Sequence, residues 1–361
     1  MAQALHIQFR KKLSQLTHRL LSKLFPTKVD DKSIPKEEIK RILVVRINYR
    51  IGNILFTTPL LNALQKEFPN ATIDVMIGAT FVTSLIEAMP QINKVYSFPR
   101  KLLKQPLKVL KLRKELKNNH YDLLVSPSLL SSSDSFFTLL TPASYKLGFY
   151  APDVFSPLTH AISFPTNISH EALKPLALMS AFGKMPQAFD NFMNLQISQQ
   201  ERDEINVEYS KPTIGIFRDA RNEKKIKDEC WRELLLELNK INPKLHFIDI
   251  LDPNNQTPLQ KNIETLSEKN LRSLAVRISK LDAFICGDTG PMHLASASLT
   301  PTIALFQTTS PSLYGTLGKR DLSLEMGAKS IKMIALEIYK HLVYANAFSA
   351  SINATTPSYI S

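Results

Sequence analysis

Two hydrophobic rhythms alternate along this chain. Short aliphatic runs, at Ile42 to Val45, Thr72 to Ile77, Asp122 to Ser126, Thr213 to Phe217, Leu245 to Ile250, Ala283 to Cys286 and Leu299 to Phe306, read as strands covered on both faces. Between them leucines recur at helical spacing, as in Leu60, Leu61, Leu64 and Phe68, and again from Trp231 to Leu238. Strand, helix, strand, repeated in both halves, predicts a doubly wound α/β protein. There is no internal repeat beyond this loose similarity of the halves.

Local punctuation supports the same elements. Gly52 is expected to allow a tight turn after the first strand, with Thr58 as a helix N-cap and Pro59 at the first helical position. Pro69 and Asn70 end that helix. A second helix opens around Ser131 to Phe137, the proline-rich residues 152–175 read as irregular, and residues 171–183 read as a helix. Residues 184–211 connect into a second domain, residues 328–345 form a last helix, and residues 346–361, rich in Ser, Thr and Asn, read as a loose tail.

The chemistry concentrates where strands give way to polar turns. Ala283 to Cys286 runs into Gly287, Asp288, Thr289 and Gly290, then Pro291 and a helix-forming stretch. This leaves backbone N–H groups at a helix N-terminus, facing outward from the carboxyl edge of a sheet, which is a phosphate-binding geometry. A nucleotide-linked substrate follows, with Asp288, Thr289, Gly290 and His293 as its contacts. The plainer alternative makes Asp288 a helix cap and His293 a packed histidine. After the strand Thr213 to Phe217, the loop from Arg218 to Lys227 carries Arg218, Arg221, Lys224 and Lys225, which suit a phosphate or are solvated surface charges.

The stretch DTGPMHLASA followed by TPTIALF resembles the donor-site signature of glycosyltransferase family 9, the ADP-heptose:lipopolysaccharide heptosyltransferases. The upstream block RILVVRINYRIGNILFTTPLL resembles that family's first strand and the helix after it. The likeness covers roughly residues 38 to 320. It implies two Rossmann-like domains facing a central cleft, the GT-B architecture, and inverting sugar transfer without a metal or other cofactor. It also implies a nucleotide-sugar donor such as ADP-heptose on the C-terminal domain, with Lys224 the best match to a lysine near the donor phosphates. An anionic lipid-linked glycan such as a lipopolysaccharide core is the implied acceptor, on the N-terminal domain beside Thr57 and Thr58.

One position departs from that pattern. The family places an aspartate after the glycine as general base, and here the residue is Asn53, whose amide takes no proton near neutral pH. No carboxylate occurs from Ile39 to Lys66. Asp134, beyond the strand Asp122 to Ser126, is the candidate replacement base, with a helix N-cap as its plainer role. The alternatives are therefore an active transferase with a displaced base, or a transferase-like binding protein with impaired catalysis. An α/β enzyme using a nucleotide cofactor is disfavoured, because the first strand is not followed by G-x-G-x-x-G.

Length and charge refine the picture. At 361 residues the chain exceeds one growing core. The expected division is a basic amphipathic extension over 1–35, an acceptor domain over 36–190, a nucleotide-sugar domain over 191–330, and a crossover helix with a loose tail over 331–361. The two cysteines, Cys230 and Cys286, form no disulfide framework or metal-ligand spacing, which points to a reducing cytoplasm. The net charge of +13 resides in two segments, residues 1–28 and 99–120. The first also bears an apolar stripe of Leu5, Phe9, Leu13, Leu16, Leu20 and Leu24. It reads either as an interfacial anchor on the inner face of the cytoplasmic membrane or as a helix packed on its own domain. Nothing is long enough to span a bilayer, and no aromatic platform or motif accompanies the charge to suggest nucleic acid.

Overall fold

In the computed structural model, residues 12, 15–16, 18–23, 33–99, 105–151, 154–327 and 329–348 are described. The chain divides into two compact units, Met1–Asn191 and Phe192–Ser361. Each contains a six-stranded sheet in which every pair is parallel.

In unit 1 the strands are β1 (Arg41–Arg46), β2 (Thr72–Ile77), β3 (Ile92–Ser97), β4 (Tyr121–Ser126), β5 (Ala143–Tyr150) and β6 (His160–Ser163), ordered β3-β2-β1-β4-β5-β6. The helices are α1 (Ile51–Leu55), α2 (Thr58–Glu67), α3 (Thr83–Glu87), α4 (Pro106–Asn118) and α5 (Ser132–Leu140). In unit 2 the strands are β7 (Thr213–Phe217), β8 (His246–Leu251), β9 (Glu264–Ser267), β10 (Ala283–Gly287), β11 (Thr302–Phe306) and β12 (Leu322–Glu325), ordered β12-β11-β10-β7-β8-β9. Its helices are α6 (Gln199–Glu204), α7 (Asp228–Ile241), α8 (Leu271–Ile278), α9 (Gly290–Ala297), α10 (Pro311–Tyr314) and α11 (Ile331–Tyr344). The second order repeats the first, and both are the dinucleotide-fold order with its reversal beside the first strand. The expected α/β class with two Rossmann-like sheets is what the chain adopts.

The aliphatic runs explain the layers. β1 alternates its side chains between two covered faces, so Ile42, Leu43, Val44 and Val45 are all inaccessible. On one face Leu43, Val45, Met76 and Leu124 pack against Leu116 of α4 and Phe137 of α5. In unit 2, Ile214, Ile216, Ile285 and Ile303 pack against Trp231, Leu234 and Leu238 of α7. The last helix, expected to cross back onto the first domain, is part of this core through Ile334, Ile338 and Leu342. Ala347 and Phe348, expected in a loose tail, are buried with it; residues 349–361 lie outside the described residues.

Several local expectations are corrected. Gly52 makes no tight turn: it sits inside α1, and the described glycines with positive φ are Gly183 and Gly327. Thr58 is the first helical residue of α2, not its cap; the capping position is Thr57, whose side chain makes no capping bond. The segment expected to be irregular supplies edge strand β6, whose four residues are too few for a hydrophobic period to register. The expected helix over 171–183 is a 3-10 run, Lys174–Phe182, closed by Gly183 at φ 71°. Most of the 1–35 extension lies outside the described residues. Its residues 12, 15–16 and 18–23 are helical, with His18 buried and Leu16 and Leu20 exposed, and residues 33–35 are coil leading to the first strand.

Candidate active site

Ligands of open α/β sheets bind beyond the carboxyl ends of the strands, where the strand order reverses. In unit 2 that point lies between β7 and β10. Four in-register pairs from Ala283–Ile214 to Cys286–Phe217 bring the two strand ends side by side. The loop after β7 and the turn after β10 are therefore neighbours, although 64 residues separate Lys224 from Asp288.

The ammonium of Lys224 donates to Oδ2 of Asp288, and the hydroxyl of Thr309 donates to the same oxygen. Asp288 is nearly covered, with 7% of its side chain exposed, while Lys224 keeps 36%. A buried carboxylate held by a half-exposed lysine fixes the cation at the mouth of the site. Beside it α9 begins at Gly290 with Pro291 in its first turn; Thr289 is the capping residue and makes no side-chain capping bond. Oγ1 of Thr289 is buried without a hydrogen-bond partner. The first-turn N–H groups have no intrahelical carbonyl to satisfy them, so this helix end offers donors and partial positive charge to an anion. His293 lies buried within the next turn.

The plainer alternative, a helix cap at Asp288, is not what forms, since its carboxylate goes to Lys224 and Thr309. Thr309 was missed. Its signal was available, because QTTSP follows β11 and repeats the strand, polar turn, proline pattern that marked Asp288.

The other cations of the β7 loop divide. Arg218 grips Asp249 of β8 with two hydrogen bonds of 3.1 and 2.9 Å and Asp228 with one of 2.8 Å, and it also donates to the carbonyl of Thr257. It is a clamp between β7, β8 and α7. Lys225 lies 3.4 Å from Asp219. Arg221 is exposed. A polar depression beside them is lined by Arg218, Asp219, Lys225, Asp252 and Asn255 at the ends of β7 and β8.

Unit 1 repeats the plan at the junction of β1 and β4. Oδ1 of Asn48 accepts the N–H groups of Tyr49 and Arg50 and, at 3.2 Å, the side-chain amide of Asn53. One asparagine thus shapes the turn that presents Asn53. Gly78, after β2, lets this turn lie close, since a Cβ there would meet the carbonyl oxygen of Asn48 at 2.6 Å. Thr57 and Thr58, expected on the acceptor side, are buried and spend their hydroxyl protons on the carbonyls of Ile54 and Leu55. They close the step from α1 into α2.

Asp134 is not the cap of α5. That cap is Ser131, whose hydroxyl accepts the N–H of Asp134. The Asp134 side chain points under the end of β1, where Oδ1 accepts the N–H of Ile47 at 2.7 Å and Oδ2 faces Arg46 at 3.6 Å. Only 1% of the side chain is exposed. Burial raises its pKa above the ordinary carboxylate range, outweighing the opposing effects of Arg46 and its hydrogen bonds.

Two sheets of one strand order, each gathering polar loops at its reversal point, make a pair of Rossmann-like units, the architecture shared by GT-B glycosyltransferases. The comparisons agree. The family model for glycosyltransferase family 9 (heptosyltransferase) matches residues 109–333. The lipopolysaccharide core heptosyltransferase OpsX of Haemophilus influenzae is 25% identical over 301 residues, which cover 76% of this chain and 81% of that protein. A family 9 glycosyltransferase structure from Veillonella parvula superposes with a TM-score of 0.73 at 17% identity, covering 87% of this chain and 99% of that one. The structure of E. coli heptosyltransferase WaaC with ADP gives 0.71 at 18%, covering 83% and 99%. The chain belongs to glycosyltransferase family 9, and its class is that of a sugar-transferring enzyme.

Proposed function

We propose that the protein transfers a heptose or related sugar, with inversion and without a metal, from a nucleotide-sugar donor to a lipid-linked surface glycan. ADP-heptose is the donor favoured, and the lipopolysaccharide core the acceptor. The observation that carries this reading is the Lys224–Asp288–Thr309 constellation at the N-terminus of α9, in a chain of this family. The likeness to OpsX supports the acceptor class, and the likeness to a WaaC structure with ADP supports the nucleotide.

In this mechanism unit 2 holds the donor. The N–H groups of α9 and the ammonium of Lys224 take up the charge that develops on the leaving diphosphate, the service a metal would otherwise give. Asp288 and Thr309 keep Lys224 from swinging into solvent. Unit 1 receives the acceptor near the start of α1, which carries Asn53. The proton of the attacking hydroxyl passes to solvent water, because the amide of Asn53 takes none near neutral pH. Asp134 is the carboxylate brought to this end of β1, and its raised pKa suits a proton acceptor. Its burial beneath Arg46 and its bond to Ile47 suit a support for the turn, and that is the role assigned to it.

A lipid-linked acceptor supports a peripheral position at the inner face of the cytoplasmic membrane. Among the described residues no helix is long and apolar enough to cross a membrane.

Asn53 favours a second reading, a binding protein on a transferase fold. A mass-spectrometric screen for transfer or hydrolysis of ADP-, UDP- and GDP-sugars, run with the natural protein and with Asn53→Asp, separates the two. Turnover by the natural protein supports the transferase. Turnover by the variant alone makes the natural chain a binding protein, and binding of none of the donors overturns both readings.

A further inference from the structure

The strongest feature left unused by the donor and acceptor loops lies on one outer face of unit 1. Helices α4 and α5 cover the same side of the sheet, because Leu116 of α4 and Phe137 of α5 belong to one core with Leu43, Val45 and Leu124. With Val109 and Leu112 also turned to that core, helical geometry aims Leu107 and Leu110 away from it. They are 81% and 57% exposed. On α5, Phe136 and Leu139 are likewise exposed. Scattered surface leucines are ordinary, but large apolar side chains on the outward faces of two helices of one layer, beside a basic stripe, mark an interaction surface.

The surrounding charge has one sign. α4 carries Lys108, Lys111, Arg113, Lys114 and Lys117, all exposed, and its one acid, Glu115, is held by Lys94 at 2.5 Å. Lys111, Lys114 and Lys117 lie on the same outward face as the two leucines. The N-terminal helical residues join this side: His18 is buried with Nε2 3.0 Å from the hydroxyl of Ser132 in the first turn of α5, leaving Leu16 and Leu20 exposed.

We propose that the α4–α5 face is a membrane-docking surface that seats on an anionic lipid bilayer. The partner is assigned by complementarity. Leucines enter the headgroup boundary while lysine stems lie along the apolar zone and carry their ammonium groups to lipid phosphates. A second copy of this chain fits poorly, since a two-fold contact would press this basic helix against its own image. A nucleic acid would meet leucines where stacking or hydrogen-bonding groups are needed. The proposal rests on the transferase reading only for why a membrane is useful, since a lipid-linked acceptor is presented there. It also moves the main attachment from the N-terminal extension to the folded unit.

The test is co-sedimentation of the full chain with vesicles of phosphatidylethanolamine and phosphatidylglycerol, beside vesicles of phosphatidylcholine alone. The natural protein should bind the anionic vesicles, and less as salt rises. Leu107→Glu with Leu110→Glu should weaken binding by at least about tenfold, with melting temperature and ADP binding unchanged. Lys111→Glu with Lys114→Glu and Lys117→Glu tests the charge without touching the leucines and should abolish the preference for anionic lipid. Leu16→Glu with Leu20→Glu should have the smaller effect. The proposal is overturned if the natural protein ignores anionic vesicles, or if both α4 variants are folded and bind like the natural protein. It is also overturned if the leucine variant dissolves a dimer in the ultracentrifuge while vesicle binding persists. Vesicle binding needs no turnover, so a protein that binds lipid but transfers no sugar keeps this proposal and loses the functional one.

Discussion

Replacing Lys224 by Met removes the cation that faces the nearly covered Asp288 and is meant to face the donor diphosphate. The two consequences have different sizes. Breaking a fully buried ion pair from one side costs about 3–5 kcal/mol, because a charge is left unpaired. Here Lys224 keeps 36% of its side chain in solvent and Asp288 retains the hydroxyl of Thr309, so screening lowers the loss. We expect about 2 kcal/mol of stability. Asp288→Asn leaves an oxygen for Thr309 and no buried charge, so about 1 kcal/mol is expected. In the double variant neither an unpaired carboxylate nor a tethered lysine remains, and the losses should fall short of their sum by about 1 kcal/mol. For the donor the order differs. Lys224→Met should weaken ADP binding by about 10–100-fold through loss of a charge-assisted contact, whereas Asp288→Asn frees the lysine from a competing anion and should weaken it less. Thermal unfolding with and without ADP, with calorimetric titration of ADP, reads both quantities. A folded Lys224→Met protein that binds ADP like the natural chain would refute the phosphate role. Strict additivity of the two stability losses would refute the coupling.

Asp134→Asn should keep an acceptor for the N–H of Ile47 and slow transfer by less than about tenfold, since the residue is assigned to hold the turn; a loss of about 10²–10⁴ would make it the general base instead. Asp134→Ala should cost about 1–3 kcal/mol, measured by denaturant unfolding, by leaving the buried N–H of Ile47 without a partner; unchanged stability would deny the support role. Glu201 completes the capping box of α6 with Ser198 and binds Arg272 by hydrogen bonds of 2.7 and 2.9 Å, foremost among the causes holding its pKa down to about 2. A folded-state pKa below the unfolded value gives stability that is present above the unfolded value and lost as pH falls. The melting temperature of the natural protein should therefore exceed that of Glu201→Gln by an amount worth about 1–2 kcal/mol near neutrality, and the gap should close between about pH 5 and pH 2; a gap independent of pH would show that the ion pair contributes nothing.

The sequence by itself determined the class of the fold and the addresses of both loops. Continuous aliphatic runs such as Ile42 to Val45 are stable only when both faces of a sheet are covered, which requires helices between parallel strands, and that pattern is local enough to read. The strand, DTG, proline and helix sequence likewise fixes a helix N-terminus wherever the chain goes, so Asp288, Thr289 and Gly290 were legible as the turn into that helix. Tertiary structure decided the partners. Lys224 meets Asp288, and Thr309 joins them, only because β7, β10 and β11 are adjacent in the sheet, an order that no local periodicity encodes. Asp134 reads along the chain as a replacement base or a helix cap, and only the pairing of β4 with β1 carries it under Ile47, where burial rather than sequence sets its proton affinity. Gly52 and Thr58 were misassigned because turn and cap preferences are weak beside the packing that folds residues 51–55 into an extra helix. The same is true of the leucines of α4. Sequence marks them as one side of a basic helix, and only the packing of Val109, Leu112 and Leu116 onto the sheet decides that Leu107 and Leu110 face outward.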